Sequence, residues 1–306
     1  MKRILVIYYS QSGDVLRSAK SFTRDLEACS EVEITWEEIM PKTNYPYPWQ
    51  GYQFFDVFPE CINQEPPEIE TPTFNPNDKF DLVILAYQVW FLAPSLPIQG
   101  FLKSEYAKVL RNTKIITLIG CRNMWHSASE TMKQIIFEAG GIHIDNVVVT
   151  HQGTPLATFI TTPRMLLTGK KDSLLGVLPQ GGFRDEDIDS LSRFGHRIAN
   201  KINNLSDLSH SSLLNGLNAV EVNRPYIIPE LIGRTLYRPW AKIARFFGQQ
   251  GSWTRSPIIL LFAIQLVLLI PVVLFSSALI NLLFAPFLRQ KIDNYVRVLK
   301  SPSSAV

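Results

Sequence analysis

The residues best suited to chemistry stand in a short loop, Ser10-Gln11-Ser12-Gly13-Asp14-Val15, between an apolar segment and a stretch of helical periodicity. Backbone N–H groups at a helix start, beside two small hydroxyls and a conformationally free glycine, form a cradle for an anion, and phosphate suits it. The spacing is neither G-x-G-x-x-G nor a Walker loop, which disfavours a dinucleotide or a nucleoside triphosphate. A plain turn can use the same residues, so the loop gains meaning from its neighbours. Gln88-Val89-Trp90-Phe91 follows a second apolar segment, and Cys121-Arg122-Asn123-Met124-Trp125-His126 closes a third. Indole and phenyl rings beside a phosphate cradle suit a flat heteroaromatic ligand with a phosphate tail.

A histidine side chain can exchange protons near neutral pH, which makes His126 a candidate proton donor or acceptor, although a histidine at a helix start is often simply exposed. Arg122 is placed to steady a developing anion, and an ordinary surface arginine would look the same. His151, just past a strand, is a second proton-transfer candidate. His143 lies within a strand and reads as structural, while His196 and His210 read as facing solvent or packing. Cys121 reads as a small buried residue at a strand end. No Asp/Glu/His cluster has metal-ligand spacing, and no G-x-S-x-G elbow is present. The cysteines Cys29, Cys61 and Cys121 share no C-x-x-C spacing, so neither a disulfide framework nor a zinc knuckle is indicated.

These loops need a scaffold that brings strand ends together. Apolar strands are predicted at 3–9, Val32 to Trp36, Asp81 to Tyr87, Lys114 to Cys121 and Ile142 to Thr150. Helices are predicted over Val15 to Ala28, Leu96 to Val109, Ser127 to Ala139 and Asp185 to Ile202. Strands alternating with helices imply a doubly wound parallel sheet, which binds ligands beyond the strand C-termini. Two stretches interrupt the alternation. Residues 40–78 hold eight of the twenty prolines with eight aromatic residues, reading as a packed excursion over a pocket rather than a linker. Residues 151–184 are a second, glycine-bearing insertion.

With these residues in place, residues 1–205 resemble the flavodoxin-like family, whose first loop reads T/S-x-T/S-G-x-T/S. Ser10, Ser12 and Gly13 match; Val15 replaces the last hydroxyl, and Asp14 adds a negative charge. The resemblance implies a five-stranded sheet of order 2-1-3-4-5 that binds FMN with three loops. The cofactor contacts would come from Ser10, Gln11, Ser12, Gly13, Asp14 and Val15, then Gln88, Val89, Trp90 and Phe91, then Cys121, Arg122, Asn123 and Trp125. Trp90 and Trp125 would flank the ring, His126 would move a proton, and Arg122 would steady the reduced ring. The run from Trp90 to Leu102 resembles the second loop and helix of flavin reductases. More narrowly, the opening IYYSQSG, the segments PYPW (Pro46 to Trp49) and FFDVFPE (Phe54 to Glu60) and the apolar tail resemble the dialkylresorcinol condensing enzymes. That likeness implies a flavin-type aromatase that oxidises a cyclic dione to a resorcinol, with a ketosynthase and an acyl carrier protein in the same pathway. The chain itself has no ketosynthase-like Cys-His-His set. Two alternatives use the same residues: an NAD(P)H:quinone-type reductase, and a non-catalytic electron carrier or membrane-tethered binding module, for which Asp14 and Val15 speak.

The net charge of +3 conceals two unlike parts. Beyond Leu205 stand ten Lys/Arg against four acids, a balance of +6 that leaves −3 for the rest, so there is no nucleic-acid footprint. Ser256 to Leu288 carries no Asp, Glu, Lys or Arg, and an apolar run of that length is read as membrane-inserting rather than as a core helix. Ile258 to Ile280 is long enough for one span, whereas basic flanks on both sides and Pro271 suit a hairpin with both ends in the cytoplasm. The hairpin is the favoured expectation. Residues 206–255 read as a basic linker whose Trp240, Ile243 and Phe247 face lies in the headgroup plane, and 289–306 as a basic cytoplasmic tail. Lys2-Arg3 and the short apolar run after it lack the length and cleavage site of a signal peptide. The expected location is the cytoplasmic face of the cell membrane, where a lipophilic substrate would be met.

Overall fold

The computed structural model describes residues 1–203 and 212–300; His210 lies outside the described residues. Five parallel strands form the sheet: β1 (Lys2–Tyr8), β2 (Val32–Glu38), β3 (Leu82–Trp90), β5 (Lys114–Cys121) and β6 (Ile142–Thr150), in the order β2-β1-β3-β5-β6. A short β4 (Ala93–Pro94) folds back antiparallel onto the end of β3. With β4 set aside, the order is the expected flavodoxin-like one. Ile4 and Val6 face one apolar layer, with Phe22 and Phe194, from helices α1 (Asp14–Glu27) and α8 (Ser192–Ala199). Leu5 and Ile7 face the other, with Phe101 of α4 (Leu96–Lys103) and Met132 of α5 (His126–Glu138). Strands buried on both faces need apolar residues at every position, which is why they read as continuous runs. Gly195 sits against α1 so closely that a Cβ there would lie 2.0 Å from the Phe22 carbonyl oxygen.

The expected helix from Leu96 ends early: Ser104 starts a tighter turn over Glu105–Leu110, its hydroxyl accepting from the Tyr106 N–H at 3.2 Å. The expected helix from Asp185 breaks into α7 (Asp185–Asp189) and α8. The third strand runs to Trp90, so Gln88, Val89 and Trp90 stand on its end rather than in a loop. Residues 40–78 fold into α2 (Gly51–Asp56) and α3 (Phe58–Asn63) against the sheet edge, and the second insertion supplies α6 (Pro155–Thr168).

Residue 205 marks no break in packing. Leu213 and Leu214 are buried in the same layer as β1 and α1, and the Val148 N–H donates to the Ala219 carbonyl at 3.0 Å. The expected linker helix, α9 (Ile227–Phe247), is docked, with Ala241 and Ala244 fully buried beside Phe58; its Ile243, Phe246 and Phe247 remain exposed. α10 (Ser256–Lys300) is helical without interruption, so the expected hairpin does not form. Pro271 and Pro286 each remove one backbone donor, which kinks a helix without having to end it. Trp253–Ser277 is long and apolar enough, by length and composition, to cross a membrane, and only 12% of its most apolar window is buried. Both ends of α10 pack on the α/β body: Phe262 stacks on Phe58, and Leu299 is fully buried in the layer that holds α5.

Candidate functional site

The first loop is built as its residue types demand. Gly13 takes a left-handed backbone, φ +84°, which glycine adopts without strain, and the Ser10 hydroxyl accepts from the Leu16 N–H at 3.1 Å. The N–H groups of Gln11 through Val15 find no acceptor among the described residues. The Asp14 carboxylate is buried beside them, bonded to the Lys171 ammonium at 2.6 Å, with Arg17 at 3.7 Å. Lys171 also donates to the Ser12 carbonyl at 3.0 Å. A lysine delivered by the loop after α6 thus neutralises the charge that Asp14 brings to the cradle.

From this loop a cleft runs along the strand ends to Trp90, Phe91, Cys121 and Arg122, roofed by Trp49 and Phe54 on one side and by Met165 and Phe183 on the other. The proline-rich excursion therefore forms a wall, as its aromatics suggested. Trp49 donates from Nε1 to Gln11 Oε1 at 3.0 Å, and its ring meets Trp90 edge-on with centroids 5.5 Å apart. Tyr45 packs edge-on against Trp90 at 5.1 Å, and Phe54 lies 5.0 Å from Phe91. The enclosed part of the cleft measures about 130 Å³, and the remainder opens to solvent.

Three groups in the cleft have no protein acceptor. Gln88 Nε2 is buried and unpartnered. The Arg122 guanidinium has no carboxylate within ion-pair distance among the described residues; it lies 5.8 Å from the Phe159 ring, and burial pulls its pKa down. His151 uses Nδ1 on the Thr162 hydroxyl at 3.1 Å; burial, then Arg122 and Lys171, lower its pKa to about 3, so it is neutral and keeps Nε2 for another partner. Cys121 lines the cleft with its thiol pushed up by burial, which makes it inert.

Not every expected residue reaches this cleft. Gln11, Ser12, Asp14, Val15, Gln88, Val89, Trp90, Phe91, Cys121 and Arg122 line it; Ser10 and Gly13 shape the loop from behind. Trp125 is fully buried in the core, and Asn123 donates to the Thr158 hydroxyl at 3.2 Å instead. His126 is the chief correction. It is buried beneath α9 with Nδ1 2.8 Å from Glu230 Oε2, while Glu230 Oε1 accepts from the Ser127 N–H. Glu230 lies about a hundred residues away in sequence and fills the helix N-terminus, which holds His126 out of the cleft. Trp49, Lys171, Phe183 and Gln88's unpaired amide were not legible as site features, apart from the aromatic excess that flagged the 40–78 excursion. His151 was legible only as a lesser candidate.

No family model and no curated protein matches the sequence. Among solved structures the chain is similar to a flavoprotein in complex with FMN from Lactobacillus acidophilus NCFM, at 19% identity over 48% of this chain and 93% of that one, with a TM-score of 0.39. It is also similar to a flavodoxin from the domain Archaea, at 14% identity over 66% and 99%, with a TM-score of 0.36. A third is the NAD(P)H:quinone oxidoreductase from Methanothermobacter marburgensis, at 9% over 66% and 97%, with a TM-score of 0.35. At these scores the fold class rests on the strand order itself.

The donor set fits FMN. Free N–H groups and Lys171 would hold a phosphate at one end, and the unpartnered Gln88 amide and the Arg122 guanidinium would face carbonyl oxygens at the other, beside Trp90 and Phe91. About 130 Å³ of enclosed space takes roughly one ring by comparison with known apolar cavities, so a three-ring ligand needs the open part of the cleft as well.

Proposed function

We propose that this chain is an FMN-dependent oxidoreductase acting on a lipophilic substrate. The observation that carries the reading is a cleft whose unsatisfied polar groups are donors throughout, from the first loop to Arg122. An acceptor-rich ligand would pair with them together, and for the buried Gln88 amide the gain is about 1–3 kcal/mol. FMN, when bound, supplies a two-electron carrier. The chain's own groups do the rest: Ser12, the N–H groups from Gln11 to Val15 and Lys171 hold the phosphate, and Gln88 and Arg122 orient the polar edge of the ring. Trp49, Trp90 and Phe91 exclude water from one face. His151, held neutral by burial and by the charges of Arg122 and Lys171, offers Nε2 as a hydrogen-bond partner at the cleft wall. The finer reading is the oxidation of a cyclic dione to a dialkylresorcinol at the cytoplasmic face of the membrane, with the dione made by a ketosynthase and its carrier protein; it rests on the sequence resemblance. The absorbance spectrum of the purified protein tests the proposal. A yellow protein, or one that takes up added FMN, is the expected result, and a colourless protein that refuses FMN would overturn it. Anaerobic bleaching by an alkyl cyclohexanedione supports the dione reading, whereas bleaching by NADPH alone points to a quinone-type reductase.

A further inference from the structure

Beside the cleft lies a second cavity of about 110 Å³, and almost all of its wall is apolar. α9 contributes Leu236, Tyr237 and Trp240, and α10 contributes Phe262, Leu266 and Leu269. Arg122 belongs to both walls: it lines the cleft and it lines this cavity, where Tyr226 and Tyr237 are its polar neighbours. The Phe91-Leu92 turn between β3 and β4 divides the two spaces in the same way. Phe91 lines the cleft and Leu92 the cavity. Both residues hold a left-handed backbone, φ 48° and 65°, as the tight turn between Trp90 and Ala93 requires. Such turns favour Asn-Gly; two bulky residues there are strained, so their side-chain placement is held by the surroundings against local preference.

A half-buried guanidinium without a carboxylate, at the junction of a polar cleft and an apolar cavity, calls for an anion with a hydrocarbon chain attached. We propose that the α9–α10 cavity binds one hydrocarbon tail of a small amphiphile whose anionic head, a carboxylate or an ionised 1,3-dione, pairs with Arg122 at the edge of the cleft. α10, which supplies one wall of the cavity, carries Leu268, Val272 and Phe275 exposed and apolar on its outward side, an apolar surface along which a tail could reach the cavity from a bilayer. This deepens the flavin reading by naming the substrate class and placing the head beside the ring.

The test is photolabelling of the full-length protein in phosphatidylcholine nanodiscs with a twelve-carbon carboxylate bearing a diazirine within its first six carbons, the length that about 110 Å³ can hold, against the matching alcohol. The expected result is labelling of peptides from α9 and α10, with the acid at least about tenfold more effective than the alcohol, as a charge-assisted bond predicts. Arg122→Gln should bring the acid down to the level of the alcohol and leave the alcohol unchanged. Leu269→Trp, on the outer wall and remote from the sheet, should reduce labelling by both. Equal labelling by acid and alcohol, no response to Arg122→Gln, or labels confined to the exposed face of α10 would each overturn the inference. So would loss of the acid label in phosphatidylglycerol discs, which would assign the cavity to a two-chain membrane lipid. Labelling needs no flavin, so a colourless protein that still labels would sink the flavin reading alone.

Discussion

At the scale of single residues, the Asp14–Lys171 pair decides how strongly the first loop attracts a phosphate. The pair is buried on the Asp14 side and sits among free N–H groups, so a dianion arriving there feels one negative and one positive neighbour. Removing the cation by Lys171→Met leaves the carboxylate alone and should weaken FMN binding about 10- to 100-fold, or 1.4–2.7 kcal/mol. Asp14→Asn removes the repulsion and should tighten it about tenfold. Flavin fluorescence titration reads both, and an Asp14→Asn variant that binds more weakly would refute this view of the loop. Three other residues set an acid response. His143 and His151 are buried with pKa values pushed down to about 3 by desolvation, so both are neutral in the fold and charge on unfolding below about pH 6.5. Their stabilisation is complete above pH 6.5 and is lost as the pH falls. Asp145 runs the other way, raised to about 6 by burial, and it gains stability for the fold as the pH falls from 6 toward 4. At pH 5 each histidine has lost about 2 kcal/mol while Asp145 has returned about 1.4, so the protein should be roughly 2–3 kcal/mol weaker than at pH 7. Urea unfolding at the two pH values measures this, and His143→Gln should remove about 2 kcal/mol of the loss; an unchanged loss would show that His143 is not neutral by burial.

At the scale of elements, the excursion and the tail hold one another. Arg255, fully buried just before α10, donates to Asp56 Oδ1 at 2.7 Å and to Glu60 Oε1 at 2.7 Å, and Asp56 also accepts from the Gly251 N–H at 2.8 Å. Phe58 stacks on Phe262, about two turns beyond Arg255, with centroids 3.7 Å apart. Arg255→Met leaves Asp56 buried without its cation and Glu60 with only Arg245, at 3.6 Å, which costs about 3–5 kcal/mol at the junction. Hydrogen exchange over 256–266 should accelerate while the sheet amides stay protected, and adding Asp56→Asn with Glu60→Gln should restore protection. Exchange that rises equally in the sheet would show that the junction is not a separate unit. The same contacts explain what could be read beforehand. The strands, their order and the first loop follow from local patterns: continuous apolar runs, a helix start, a glycine with positive φ. The hairpin was misjudged because Pro271 and the short apolar halves are local signs of a break, whereas α10 is held at both ends by distant partners, Phe58 at one and α5 at the other. Glu230 capturing His126 is of the same kind: a pairing across a hundred residues leaves no periodic trace.

At the scale of the whole molecule, the proposed membrane contact has to be reconciled with a 45-residue helix, free of charge from Ser256 to Leu288, whose two ends are docked on one body. The start is fixed by Arg255 and Phe262; near the end, Lys133 donates to the Val298 carbonyl at 2.9 Å, and Arg224 pairs with Asp293 at 2.5 Å. A helix that crossed a bilayer would leave its ends on opposite sides, and at least one of these contacts would have to break. Insertion from one side keeps both, with the exposed middle of α10 and Phe246 of α9 immersed and basic residues such as Arg238, Lys242, Arg289 and Lys291 at the headgroups. The uneven charge, −3 before residue 205 and +6 after it, turns the same face toward an anionic surface. Single cysteines at Gln250→Cys and Lys300→Cys, in a Cys29→Ser background with Cys61 and Cys121 buried, test this in sealed vesicles. One-sided insertion predicts that an impermeant maleimide added outside labels both positions or, in inverted vesicles, neither. Labelling of one position alone would mean that α10 spans the bilayer. The Arg122 cavity would then need its second wall to form after α10 has left the domain, so vesicle topology and photolabelling must give concordant answers.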